Sequence, residues 1–141
     1  MSRIKVYTDG ASRGNPGESG IGIIIYNEDG SKLKSWNEYT GTLTNNQAEY
    51  RAFLKAIELI RELKLSHKIS FVEFFADSQL LVKQMNLEYK VKDAGLKQLF
   101  LKAQKDVNSL RIPYKITHIE RNLNKEADKL ANQGIDNKNI I

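Results

Sequence analysis

Apolar and polar residues alternate from Ile4 to Thr8, the two-residue period of a strand with one buried face, and the pattern breaks at Asp9-Gly10. A glycine-rich loop, Gly10 to Gly17, leads to a second predicted strand, Gly20 to Tyr26. The turn signal Asn27-Glu28-Asp29-Gly30 returns the chain as a third strand, Lys32 to Tyr39, giving an antiparallel meander. Then the period changes. Phe53, Ala56, Ile57, Ile60 and Leu63 share one helical face, and Thr44 with Gln47 has capping-box spacing at its start.

Strands and helices alternate in the second half. Ser70 to Ala76 predicts a strand whose Phe71, Val72, Phe74 and Phe75 imply burial on both faces. Ser78 to Met85 predicts a short helix, and Leu96, Leu99, Phe100, Ala103 and Val107 mark another. Tyr114 to Arg121 predicts a fifth strand, and Asn124 to Gln133 a last helix stopped by Gly134. The expected class is α/β: a mixed five-stranded sheet flanked by helices, with strands 1–3 antiparallel and strands 4 and 5 parallel to strand 1. Residues 1–135 form one domain in this reading, and 136–141 a flexible tail. Trp36, Tyr39 and the Phe71, Phe74 and Phe75 cluster read as packing.

Composition narrows the chemistry. With no cysteine among 141 residues, disulfide scaffolds, Cys-ligated zinc or iron–sulfur sites and thiol catalysis are excluded. No apolar stretch approaches membrane-spanning length and the N-terminus lacks a signal-peptide core, so a cytoplasmic protein is expected. A net charge of +5, from 22 basic and 17 acidic residues, favours a polyanionic partner.

Two predicted strands end in an aspartate, Asp9 and Asp77. Sites in open α/β sheets form at the carboxyl ends of strands, near topological switch points. As parallel neighbours these carboxylates would lie roughly 5 Å apart by sheet spacing. Anions that close repel unless a cation or proton intervenes. Glu49, four residues before Phe53, points along the apolar helix face toward the sheet and needs a partner there. Asp128, beside Ala127, Leu130 and Ala131, poses a similar question. Taken singly, each acid has a plain structural role: a turn for Asp9-Gly10, a helix N-cap for Asp77, the helix dipole for Glu49, a solvated surface for Asp128. Together they point to a metal site, and oxygen ligands without His or Cys favour Mg²⁺ or Mn²⁺ over zinc.

Four segments in order complete the picture. They are Tyr7-Thr8-Asp9-Gly10-Ala11-Ser12 with Gly14-Asn15-Pro16-Gly17; Thr44-Asn45-Asn46-Gln47-Ala48-Glu49; Asp77-Ser78-Gln79; and Asn124-Lys125-Glu126-Ala127-Asp128-Lys129-Leu130-Ala131. Over nearly its whole length the sequence resembles a type 1 ribonuclease H. That resemblance implies a ribonuclease H-like fold and a monomeric endoribonuclease that hydrolyses the RNA strand of RNA–DNA hybrids, leaving 5′-phosphate and 3′-hydroxyl ends. It further implies two Mg²⁺ ions, with Mn²⁺ as a substitute, on Asp9, Glu49, Asp77 and Asp128. Asp9 would bridge the ions, Asp77 and Glu49 hold the pair, and Asp128 complete the second site. Gly14, Asn15, Asn45, Asn46 and Gln79 are implied in the hybrid's minor groove, where 2′-hydroxyls distinguish RNA, with Thr44 near a DNA-strand phosphate.

The chain also departs from the family. Several bacterial members insert a basic handle after the helix of the third acid; here Asn86 to Asp93 is too short for one, and Lys83, Lys90 and Lys92 read first as a solvated face. The first strand starts at Arg3 or Ile4, so no N-terminal hybrid-binding module is expected. Many members carry an accessory His before the last acid, and ungapped counting puts His118 there, on a strand and not on a loop. A subset has Arg, two residues, then Asn, matching Arg121-Asn122-Leu123-Asn124, so Arg121 is the expected phosphate contact and His118 contributes little. A catalytically silent hybrid-binding module and an integrase or resolvase domain are competing readings of the same fold. The intact acids oppose the first, and the Asn-Asn-Gln-Ala-Glu and Asp-Ser-Gln segments oppose the second.

Overall fold

The computed structural model describes residues 2–138. Its centre is β1 (Ser2–Gly14), which pairs antiparallel with β2 (Gly17–Tyr26) on one side and parallel with β4 (Ile69–Ala76) on the other. β3 (Lys32–Leu43) extends the meander, and β5 (Tyr114–His118) lies parallel beyond β4, so the sheet order is β3-β2-β1-β4-β5. This is the mixed sheet expected from the alternation of periods, and the parallel strands are joined by helical crossovers.

One sheet face carries α1 (Asn45–Leu63), α2 (Gln79–Met85) and α3 (Ala94–Ser109); the other carries α4 (Lys125–Asp136), over β2, β3 and β1. Ile4 and Val6 of β1, Ile23 and Ile25 of β2, and Val72 and Phe74 of β4 close the main core against Phe53 and Ile57 of α1. α1 starts where the sequence places it. The Thr44 hydroxyl accepts the Gln47 amide at 3.1 Å while the Gln47 side chain accepts the Thr44 amide at 2.9 Å, a complete capping box.

Several boundaries move. β1 does not end at Asp9-Gly10 but runs to Gly14, paired residue for residue with a β2 that begins at Gly17. This Gly- and Ser-rich stretch lacks alternation because pairing and hydroxyl contacts hold it, not burial. The Ser12 and Ser19 hydroxyls meet at 2.5 Å, and Ser12 donates to the Leu43 carbonyl at 2.7 Å. That carbonyl belongs to the end of a β3 that outlasts Tyr39. β5 stops at His118, short of Arg121, and a 3₁₀ turn spans Arg121–Leu123.

β4 is not fully buried on both faces. Val72, Phe74 and Ala76 are in the core, but Phe71 and Phe75 are only half-buried because α4 sits over the β2 and β3 half of the sheet. The exposed half is finished by side chains of the sheet itself. Tyr7 stacks on Phe75 at 4.8 Å, the Arg3 guanidinium lies 4.4 Å from the Phe71 ring centre, and Lys5, Glu73 and Lys115 are register neighbours.

Gly134 does not stop the last helix, which continues to Asp136. A Cβ on Gly134 would lie 2.5 Å from the Glu38 carbonyl oxygen, so glycine is there to let α4 touch the β3 backbone. Asp136, assigned by sequence to the tail, is the last helical residue and pairs with Arg13 at 2.8 Å; Lys138 pairs with Glu18. Residues 139–141 of the expected tail lie outside the described residues.

Gly134→Ala discriminates the two readings. As a mid-helix change it should stabilise by about 1 kcal/mol from helix propensity alone. As a close contact it should destabilise by about 1–3 kcal/mol, because the neighbour is backbone and cannot give. We expect destabilisation in urea melts of metal-free protein; a midpoint that stays or rises would refute the contact.

Candidate active site

The parallel register of β1 with β4 pairs Thr8 with Ala76, so Asp9 and Asp77 follow side by side at the carboxyl ends of adjacent strands. Glu49 joins them through a close approach of strand and helix. A Cβ on Gly10 would lie 2.2 Å from the Ala48 carbonyl carbon, so only glycine lets β1 press against the first turns of α1. At that contact the Gly10 amide donates to Glu49 Oε1 at 3.0 Å. Asp9 and Glu49 are 5% and 8% exposed, and Asp77 is half-buried. One carboxylate oxygen from each of the three lies within 4.8 Å of the others. Asp128, half-buried on α4, reaches the Asp9 carboxyl from the other sheet face.

Electrostatics follow from this crowding. Burial pushes the Asp9 carboxyl far above its ordinary range, and repulsion from Glu49, Asp77 and Asp128 adds to it. Glu49 is also raised, first by burial and then by Asp77; the Gly10 amide and the positive charge of Arg121 work against that shift. Among the described residues, no Lys or Arg forms an ion pair with any of these four acids. An all-oxygen cluster with clustered negative charge and no counter-ion of its own fits a hard divalent cation.

The other predicted residues lie on the elements that carry these acids and on their neighbours. Ser78 caps α2 by accepting the Leu81 amide at 3.1 Å, so Asp77 is not the N-cap and its carboxylate is not tied up in capping. Gln79 is exposed in the first turn of α2. Asn15 and Asn45 are drawn together, the Asn45 amide donating to Asn15 Oδ1 at 3.0 Å, with Gly14 and Asn46 exposed and Thr44 half-buried nearby. Arg121 is exposed in the 3₁₀ turn, close enough for its charge to act on Glu49. His118 is exposed as the last residue of β5, in register with Ala76 and therefore beside the strand end that carries Asp77.

By sequence Asn124 falls in the family-like segments and at a helix start, with no role in the site given to its side chain. It is 2% exposed, makes no capping bond, and its amide donates to the Thr8 carbonyl at 2.9 Å and to Asp77 Oδ2 at 3.2 Å. It thereby ties β1, the Asp77 carboxylate and the start of α4 together. Its place four residues before Asp128 was the available signal, since one helical turn puts both on the same side of α4.

Residues 7–134 match the family described as Reverse transcriptase-like. The chain is 34% identical over 134 residues to a ribonuclease HI of Halobacterium salinarum, covering 95% of this chain and 65% of that protein's length. It is 33% identical over 147 residues to a ribonuclease H of Pseudomonas entomophila, covering 94% and 93%. The crystal structure of the Halobacterium salinarum ribonuclease H1 superposes with a TM-score of 0.88 at 34% identity, over 96% of this chain and 98% of the other. LC11 ribonuclease H1, solved in complex with an RNA/DNA hybrid, gives 0.87 at 39% identity, over 94% and 96%. By sequence and by fold, the chain belongs to the type 1 ribonuclease H family.

Proposed function

We propose that this chain is a metal-dependent endoribonuclease that cleaves the RNA strand of RNA–DNA hybrids, leaving 5′-phosphate and 3′-hydroxyl ends. The observation that carries the proposal is the convergence of Asp9, Glu49 and Asp77 within 4.8 Å, with Asp128 beside Asp9, in a cluster lacking its own cation. The relative solved with a bound RNA/DNA hybrid supports the substrate class.

Asp9, Glu49, Asp77 and Asp128 would hold two Mg²⁺ ions, with Mn²⁺ as a substitute. When bound, such a pair supplies Lewis-acid activation of the attacking water and charge compensation at the leaving 3′ oxygen. The protein's part is to keep the oxygens in place. The Gly10 amide orients Glu49 and the Asn124 amide orients Asp77, so neither carboxylate has to reorganise during reaction. Gly14, Asn15, Asn45, Asn46 and Gln79 form the reading edge for minor-groove 2′-hydroxyls, and Thr44, whose capping role suffices for its presence, borders it. Arg121 cannot act as a base, because guanidinium stays protonated, but it can bind a scissile or product phosphate in a bidentate manner. His118 is held at a strand end and takes a minor role.

Asp9→Asn and Asp77→Asn should abolish hybrid cleavage while preserving the fold. The sign of the stability change depends on pH. Asp9 has a folded-state pKa raised above its unfolded one, so the protein without metal loses stability as pH rises from the carboxylate range toward the raised value. Asp9→Asn carries no charge to titrate. In EDTA its melting temperature should match wild type near pH 4 and exceed it by a margin that grows toward pH 8. Substantial Mg²⁺-dependent turnover in Asp9→Asn would sink the assignment.

Arg121→Ala should lower hybrid cleavage by on the order of tenfold to a hundredfold, the loss of a charged hydrogen bond worth about 1.5–3 kcal/mol. His118→Ala should stay within about threefold of wild type, less than 1 kcal/mol in the barrier. Steady-state kinetics that reverse this ranking would overturn the roles.

Alanine at Asn15, Asn45 or Gln79 should each cost about 1–3 kcal/mol, chiefly through a raised KM, by leaving a groove partner unpaired. The matched assay uses labelled hybrid and all-DNA duplex. Efficient cutting of the all-DNA duplex would refute 2′-hydroxyl reading.

A further inference from the structure

We propose that the buried hydrogen bond between Tyr50 and Gln84 is a latch that sets the spacing between the carboxylate on α1 and the one ahead of α2, making both residues positioning residues for the metal cluster. The inference rests on the reading of Asp9, Glu49 and Asp77 as metal ligands.

The Tyr50 hydroxyl donates to Gln84 Oε1 at 2.6 Å, and the two residues are 1% and 3% exposed. Tyr50 follows Glu49 directly, and Gln84 belongs to the helix whose cap, Ser78, follows Asp77. Among the described residues, no other side chain–side chain hydrogen bond joins α1 to α2. The rest of the contact is apolar, with Phe53, Leu81 and Met85 in the same core. Apolar surfaces define a separation loosely, whereas a short buried hydrogen bond defines it in distance and direction.

Stability alone does not call for this pair. Replacing both members of a buried hydrogen bond by apolar groups of the same shape is nearly neutral or favourable, so a Phe–Leu contact would close the core as well. What an apolar pair does not supply is a fixed separation between Glu49 and Asp77, whose like charges repel across that gap.

The test uses the full chain with three variants: Tyr50→Phe, the double variant Tyr50→Phe with Gln84→Leu, and Ile60→Val as a control for α1 core damage. Melting in EDTA reports stability. Mn²⁺ binding to substrate-free protein, followed by electron paramagnetic resonance, reports the cluster independently of cleavage. We expect Tyr50→Phe to lose both stability and Mn²⁺ affinity. The double variant should recover the wild-type melting temperature while binding Mn²⁺ more weakly by about fivefold. Its half-maximal Mg²⁺ concentration for hybrid cleavage should rise in parallel. Wild-type Mn²⁺ affinity in the double variant overturns the latch and leaves the metal reading standing. Absence of Mn²⁺ binding in the wild type overturns the metal reading and the latch with it. If the double variant does not fold, equal Mn²⁺ affinity in Tyr50→Phe and Ile60→Val overturns the latch.

Discussion

Buried negative charge without a cation of its own is the constraint around which this fold is arranged. Asp9, Glu49 and Asp77 bring oxygens within 4.8 Å of one another, and the ties that hold them orient without neutralising. Glu49 takes a backbone amide from Gly10, Asp77 takes a side-chain amide from Asn124, and Asp9 is fixed by its pairing with Gly22 of β2, one residue past the last β1–β4 pair, Thr8 with Ala76. An ammonium group in the cluster would satisfy the same oxygens, but it would fill the space and cancel the field that a divalent ion needs. Dipoles do neither. The consequence is carboxyls held above their ordinary range, a destabilisation that the core under α1 offsets.

The elements that carry the acids are also tied to those that carry the proposed reading edge. Asn15, at the tip of the β1–β2 hairpin, accepts the amide of Asn45 at the start of α1. Arg13 on the same hairpin pairs with Asp136 of α4, the helix that presents Asp128. Ser12 and Ser19 bind the hairpin to the end of β3 just ahead of Thr44. A shift of the hairpin therefore moves the groove contacts and the acids together. Under the proposed function such coupling would matter, because a misplacement of about 1 Å costs on the order of a hundredfold in rate.

Much of this was legible in the sequence, and the parts that were not share a cause. Alternation in β1, the capping box at Thr44 and the apolar face of α1 are local signals, and each element appears where its signal lies. The acids were legible because an inward Glu49 and two strand-terminal aspartates violate the pattern around them. What escaped depends on partners far away in the chain. Gly134 looked like a helix stop, and only the β3 backbone beside it explains why the helix continues. The hairpin beyond Asp9 has no periodicity because glycines and serines paired across strands need none. Phe71 and Phe75 imply a second covered face, but the covering helix lies over the other half of the sheet. Asn124 is the same case within the site, since its two acceptors come from β1 and from the residue after β4.

The surface between α2 and α3 bears on how a polyanionic duplex would be engaged under the proposed function. The connection that lacks a handle carries Lys90 and Lys92, and Lys83 near the end of α2 is already engaged, 4.0 Å from Glu88 and 5.4 Å from the ring centre of Tyr89. Lys90 and Lys92 are exposed on a solvated face, where salt screens their pull over about 8–10 Å. Attraction to phosphates is then diffuse and sequence-independent, and it cannot by itself choose a hybrid over DNA. Under the proposed function, discrimination would fall to short-range contacts: polar groups at Asn15, Asn45, Asn46 and Gln79 that would meet 2′-hydroxyls, and a cation cluster that would engage only a correctly seated phosphate. Selectivity then resides in the same few ångströms as the chemistry. On that reading the spacing of α1, α2 and the β1–β2 hairpin would govern both.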